Sequence, residues 1–447
     1  MRMRKLLSCF VIVSLFFSMY IYGGAEEKKY DLGGRDVVIA YWYDMTPNEK
    51  SKTYAEEMAL LAEINEKYNC NLKFVSTGDW HSYMSVVNIS LVNGEKIADA
   101  FWAAFGTAVP KWADKDLIVP LDDYFDFDDE TWNQSCNDEW IYNGNHYCIT
   151  NWDDAVGHVI LFNKRICAEN GISDEYLYDL QRNGEWTWDK LRELAIKCTK
   201  DTDNDGEIDV YGYGSYGTCP TCPEPYLYAN GTAPVTKDEN YHYQYNLDDP
   251  KVIEAIQFCY DLYWTDQVCY MGSTDWGSWE GLWRMGKTAF YEVASWNMTD
   301  YFEDLEDDEI GILLIPKGPS ADDYVNAQSM PSGICIQPMV EDKEAIAAIV
   351  TDWYKDYDWR LPDSQADQWE NYVFDDESLE TIEMMDGRTV SLLGEVSTYF
   401  RDNVLWNDWG IKQGISPRTF VETVKDACQN SFDELWSETD TSDLNND

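Results

Sequence analysis

The sequence predicts an α/β fold whose chain passes between two lobes more than once. Three observations carry this. Short apolar runs alternate with helical segments in the order strand, helix, strand. The same order recurs in the second half of the chain. No low-complexity linker and no internal repeat separates the halves, so the lobes should interleave.

The elements follow in order. Val37-Val38-Ile39-Ala40 is a short apolar run of the kind a buried parallel strand requires. A helix follows with Met58, Leu61, Ile64 and Tyr68 on one face, ended by Asn71. Leu72 to Val75 and Ala98 to Trp102 read as the next two strands. Later, Val159 to Phe162 is a strand, and Lys164 to Asn170 a short helix stopped by Gly171. Thr187 is placed to cap a helix whose apolar stripe is Leu191, Leu194, Ala195 and Cys198. Asp249-Pro250 opens another, with Ile253, Ile256 and Tyr260 together. Ile310 to Ile315 is a strand ended by Pro316, and Ala345 to Tyr354 is helical. The acidic tail after Thr439 is expected to fray.

Composition sets the compartment and excludes partners. Arg2, Arg4 and Lys5 precede an apolar run from Leu6 to Tyr22, and Gly23-Gly24-Ala25 supplies small residues for cleavage before Glu26. Residues 1–25 therefore read as a secretory signal peptide; the alternative is an uncleaved anchor. The only cysteine placed for a lipid anchor, Cys9, precedes the apolar run rather than following it. The expected location is periplasmic or extracellular, at the cell surface if the anchor stays. The formal charge of -50 becomes more negative once the three basic leader residues are lost, which repels nucleic acid and anionic lipid. Twenty tryptophans and 31 tyrosines suit an aromatic-rich core, or platforms for the apolar face of a sugar ring. Export permits disulfides: Cys219 with Cys222 and Cys136 with Cys148 could close, the rival being buried thiols.

The acidic run Asp201, Asp203, Asp205, Glu207 and Asp209, with Gly206 at the sixth position, has the alternating carboxylates of a calcium loop, Glu207 offering its backbone carbonyl. Its twelfth position is Gly212, so one ligand is missing or comes from elsewhere; a solvated acidic turn is the plain alternative. Gly212, Gly214 and Gly217 spell a dinucleotide glycine pattern, but Cys219-Pro220 follows where that motif needs a helix. His81, His146, His158 and His242 are scattered, without metal-ligand spacing. No Gly-x-Ser-x-Gly elbow is present.

A series of landmarks then resembles one family, the extracellular solute-binding proteins of bacterial ABC importers, in the sugar-binding branch that includes maltose-binding protein. They are Tyr142-Asn143-Gly144-Asn145-His146-Tyr147; Leu161-Phe162-Asn163-Lys164 with Asn170-Gly171-Ile172; Trp186-Thr187-Trp188-Asp189-Lys190-Leu191; Gly286-Lys287-Thr288-Ala289-Phe290 with Trp296; and Ile315-Pro316-Lys317-Gly318-Pro319. The resemblance implies a two-lobed periplasmic-binding-protein-like fold with crossover hinge strands and an interlobe cleft. It places 36–149 and 318–363 in one lobe, 150–317 and 364–440 in the other, and leaves 441–447 as a tail. It further implies a monomer that closes on a carbohydrate without catalysis and docks on a membrane permease. Some relatives carry a calcium loop after the helix at Trp188.

For the ligand, Trp296 matches the position that stacks on a sugar, and Trp102 matches a cleft tryptophan. Tyr41, Trp42 and Tyr43 end the first strand, where an α/β lobe opens onto its cleft. Trp152, Tyr226, Trp406 and Trp409 are further aromatic candidates, with Asp99 and Asp153 as partners for hydroxyls. The rival classes are a secreted glycoside hydrolase, which needs two carboxylates across a scissile bond, and a surface glycan-display or sensor protein without a permease.

Overall fold

The structure is a computed structural model. It describes residues 30–435 except 51–52, 105–110, 152–156, 217–220, 240–241, 273–277, 295–309, 329–331, 356–374, 386–387 and 394–395. The leader and the acidic tail lie outside the described residues.

Two four-stranded sheets organise the chain. The first begins with β1 (Arg35–Tyr41), α1 (Tyr54–Tyr68), β2 (Cys70–Ser76), α2 (Trp80–Asn93) and β3 (Ala100–Ala104). β1 lies between β2 and β3 and runs parallel to both, with Tyr41 opposite Ser76 and Ala40 opposite Phe101. The expected helix forms, but its buried face is Leu60, Ile64 and Tyr68, while Met58 is exposed. It ends at Asn69, whose left-handed φ of 49° closes the last turn; Asn71 already belongs to β2. α2 was not anticipated. Asp79 starts it with a capping box to Ser82, and Tyr83, Val87 and Leu91 form its buried stripe.

The second sheet is built from β4 (His158–Asn163), α3 (Lys164–Glu169), α4 (Asp174–Arg182), α5 (Trp188–Cys198), β5 (Tyr211–Ser215), α6 (Pro223–Tyr228), α7 (Pro250–Tyr260), β6 (Thr288–Ala294) and β7 (Ile310–Leu314). Its order is β7-β4-β6-β5, with β6 parallel to β5 and antiparallel to β4. The predicted stripe of α5 is wholly buried, although Thr187 makes no side-chain capping bond. In α7 the buried face is Val252, Ala255, Ile256 and Cys259, one position round from the expected stripe. Gly212 has a steric reason: a Cβ there would lie 1.9 Å from the Ala195 carbonyl oxygen of α5. Gly212 thus serves helix–strand packing, while Gly217 lies outside the described residues.

The chain then returns. β8 (Asn326–Gln328) is followed by β9 (Ser332–Cys335), which adds antiparallel to β3 in the first sheet, and by α8 (Lys343–Lys355), which packs on α1. Trp353 of α8 is buried against Phe74, ring centroids 4.6 Å apart. A further crossing leads to α9 (Asp376–Glu383), packed on β7, and to β10 (Thr389–Ser391), which pairs with β8. The long terminal helix α10 (Pro417–Glu434) packs on α7. The interleaving expected from the missing linker is therefore present. Residues 318–324 stay with the second sheet: Gly318 N bonds Ala229 O, Ser320 N bonds Asn230 Oδ1, and the Tyr324 hydroxyl accepts from Trp186 N.

Candidate functional site

Parallel strands carry their carboxyl ends to one edge, and in open α/β sheets that edge faces the ligand crevice. In the first sheet this edge holds Tyr41-Trp42-Tyr43 after β1, Ser76 at the end of β2, and Trp102 to Ala104 in β3, with Ser332 of β9 opposite Ala104. The sequence brings aromatic residues there, and they gather into one cluster. Trp42 meets Tyr43 edge-on at 4.8 Å between ring centroids and Trp102 at 6.4 Å. Trp102 in turn meets Tyr83 at 5.9 Å. The Tyr83 hydroxyl donates to the carbonyls of Ala40 and Trp102, tying α2 to both strand ends. Exposure grades across the cluster. Tyr41 is buried, its hydroxyl 2.5 Å from that of Tyr354; Trp102 is 9% exposed, Trp42 half-buried and Tyr43 37% exposed. Trp42 and Tyr43 are thus the rings with surface to offer, and Trp102 supports them.

The corresponding edge of the second sheet carries a polar network that the sequence did not reveal. Glu292 of β6 is 1% exposed, yet both of its oxygens are bonded. Oε1 lies 2.5 Å from His158 Nδ1 on β4, and Oε2 accepts from Ser215 Oγ on β5 at 2.5 Å. A buried carboxylate is tolerable only when so satisfied, and here it joins the ends of three strands. Its signal was a lone glutamate in the otherwise apolar strand Thr-Ala-Phe-Tyr-Glu-Val-Ala. The carboxylate sits between serine and imidazole. The serine proton is directed to Glu292 rather than to His158, which is not the order of a serine–histidine–acid relay.

Other candidates are placed elsewhere. Tyr226 is fully buried, packed on Trp188 and Phe258, with its hydroxyl 2.7 Å from that of Tyr213; burial pushes both phenols up. Trp409 is 2% exposed and edge-on to Phe400. Neither ring offers a stacking face in this structure, because each fills core volume. Trp406 is 57% exposed, with the Arg401 guanidinium 4.6 Å over its ring. Asp99 lies at the opposite end of β3 from the aromatic edge and is 2% exposed, clamped by Val38 N, Arg35 and Lys96. Burial would raise its carboxyl, but these partners outweigh that and hold it below the usual aspartate value. Trp296, Trp152 and Asp153 lie outside the described residues.

The acidic loop between α5 and β5 is turned inward on itself. Carboxylate oxygens of Asp201, Asp203 and Asp209 all lie within 4.8 Å of one another. Backbone N–H groups orient them: Asn204 and Gly206 donate to Asp201, Asp205 donates to Asp203, and Thr202 donates to Asp209. Left-handed Asn204 (φ 64°) and Gly206 (φ 97°) make the tight turn. Asp205 and Glu207 are exposed and outside that convergent set.

No curated protein matches the sequence. Among solved structures, the chain resembles UspC of Mycobacterium tuberculosis (15% identity, TM-score 0.66, covering 89% of this chain and 100% of that one). It also resembles the cyclic alpha-maltosyl-1,6-maltose binding protein of Arthrobacter globiformis (15%, TM-score 0.61, 90% and 99%). A third is the maltose/maltodextrin-binding domain MalE of Bdellovibrio bacteriovorus bound to maltotriose (18%, TM-score 0.56, 89% and 99%). These likenesses show the fold, that of two-lobed periplasmic binding proteins. Residues 46–334, well over half of the chain, match the model of one family, and the chain belongs to the bacterial extracellular solute-binding proteins.

Proposed function

We propose that this protein captures a carbohydrate, most simply an oligosaccharide, outside the cytoplasm and delivers it to the membrane permease of an ABC importer. The observation that carries the reading is the aromatic edge of the first sheet, Trp42 and Tyr43 backed by Trp102, on a solute-binding fold. A flat indole suits the C–H face of a pyranose, and carboxylates and amides can take its hydroxyls. Trp296, from its place after β6, is proposed to stack from the other side. Binding energy spent on cleft closure selects the closed form, and no bond of the sugar is broken. Titration calorimetry against a panel of oligosaccharides, with reducing ends counted afterwards, tests this. Saturable binding of intact sugar supports it; release of new reducing ends would favour a glycoside hydrolase instead.

The lobes are proposed to divide near 149 and 364, as the landmarks suggest, with the return crossing after Tyr324 rather than at 318, since 318–324 bond to the second sheet. The acidic loop is proposed to hold a structural calcium through Asp201, Asp203 and Asp209, with Asp205 and the Glu207 carbonyl completing the set. An all-oxygen donor set of this kind suits a hard cation, which would offset the mutual repulsion of the carboxylates. Residues 1–25 are proposed to be removed on export, and the mature protein to act as a monomer.

A further inference from the structure

The first sheet has an extra edge partner that the aromatic site does not use. Ile149 and Ile334 exchange both backbone hydrogen bonds, Ile149 N to Ile334 O at 3.1 Å and Ile334 N to Ile149 O at 2.8 Å, as an antiparallel bridge. They are therefore a hydrogen-bonded pair, and the next residues outward, Cys148 and Cys335, stand directly opposite as a non-hydrogen-bonded pair. Such pairs bring Cα atoms to about 4.5 Å with side chains closest, inside the Cα range of about 4.4–6.8 Å that a disulfide spans. Both cysteines are thiols in this structure and both are 0% exposed. The Cys148 sulfur leans over β9: a Cβ on Gly333, two residues before Cys335 and on the same face, would lie 2.8 Å from it. The Cys148 thiol is pushed up by burial and by its contact with the Cys335 thiol, so it is inert once the fold is closed.

We propose that Cys148 and Cys335 close a disulfide as the exported chain folds, stapling the root of the first crossover to the strand that returns from the second sheet. Residue 149 leads out of the first sheet towards β4, and β9 brings the chain back. The bond therefore fixes the two crossovers at their base. The oxidant is a protein dithiol–disulfide of the extracytoplasmic compartment. One cysteine thiolate attacks its disulfide, forming a mixed disulfide. The second cysteine displaces the oxidant's sulfur. The pair loses two electrons and two protons, and the oxidant leaves as the dithiol. Cys136, which could also close with Cys148, is buried near it, but no strand register among the described residues aligns the two.

The test is peptide mapping of the full chain, once after secretion and once after refolding in a glutathione redox buffer, alkylated while denatured without reductant. The expected result is a linked pair of peptides containing Cys148 and Cys335, retained in Cys136→Ala and lost in Cys335→Ala. Reduction should lower the melting temperature by roughly 3–8 °C. Quantitative alkylation of both cysteines in the refolded protein, or a Cys136–Cys148 link, overturns the proposal. A linked pair on refolding but not in the secreted chain also overturns the proposal, because the bond would then form only under the buffer and not as the exported chain folds. If Cys335→Ala does not fold, the maps of the wild-type chain and of Cys136→Ala decide alone.

Discussion

Replacing Trp42 by alanine should weaken sugar binding far more than it weakens the fold. Trp42 is half-buried, edge-on to Tyr43 at 4.8 Å and 6.4 Å from Trp102, so one part of its ring packs and another remains to receive a ligand. A stacked pyranose would cover on the order of 50 Å² of indole and as much of its own surface, which at ~25 cal/mol/Å² is about 2.5 kcal/mol. Ordering costs reduce what is seen to roughly 1–3 kcal/mol, about a fivefold to 150-fold rise in Kd. The packing lost against Tyr43 and Trp102 should cost only about 1–2 kcal/mol of stability. Calorimetric titration with the tightest-binding oligosaccharide, beside a thermal melt, separates the two effects. A Kd within twofold of the unchanged protein, together with a strongly lowered melt, would refute the reasoning and make Trp42 a packing residue.

Four further outcomes follow from the same geometry. Glu292→Gln should destabilise by roughly 2–4 kcal/mol in urea unfolding, because an amide cannot accept from both Ser215 and His158. Gly212→Ala should cost about 3 kcal/mol or more, or leave the chain insoluble, since its Cβ would meet backbone of α5 rather than a movable side chain. Calcium should raise the melting temperature of the unchanged protein but not of Asp201→Asn, with sugar affinity the same in both; equal melts with and without calcium would count against the site. Asp99 has a folded pKa below the ordinary 3.8, so its contribution is complete above that value and is lost as pH falls through the folded value. Asp99→Asn should therefore flatten the acid limb of a stability–pH profile, and an unchanged limb would remove Asp99 as its cause.

Much of the frame could be read from local pattern. β1, β4 and β7 are apolar runs because both faces of their strands are covered, whereas the edge strand β2 alternates buried Cys70, Leu72 and Phe74 with exposed Asn71 and Lys73; the stripe of α5 lies flat against β5 as its spacing predicts. The faces of α1 and α7 are legible in part: Ile64, Tyr68 and Ile256 lie inward as expected, while Leu60 and Val252 are buried where Met58 and Ile253 were expected. In α1, Tyr68 turns inward to give its hydroxyl to Asp352 of α8, a partner far away in sequence, and Leu60 and Ile64 follow it. β9 is four residues long and takes its identity from β3, so nothing local marks it. The helix α10 carries a stripe legible from spacing alone, Phe420, Val421, Val424, Cys428 and Phe432, although it is not among the elements expected above. At the site, residue type alone could not separate a platform from a core ring. Tyr226 and Trp409 fill volume, Trp42 and Tyr43 reach solvent, and only the fold distinguishes them.

The proposed function places an intact sugar between the two sheets, against the edges that carry Trp42 and Glu292. Hydrogen exchange of backbone amides, measured with and without the sugar chosen by calorimetry, tests this most directly. New protection is expected on both edges at once, in the segment after β1 and around β3 on one side and near His158 and Ser215 on the other. The acidic loop should be unchanged, and the sugar recovered whole. Protection confined to one sheet, or a sugar recovered in pieces, would contradict it.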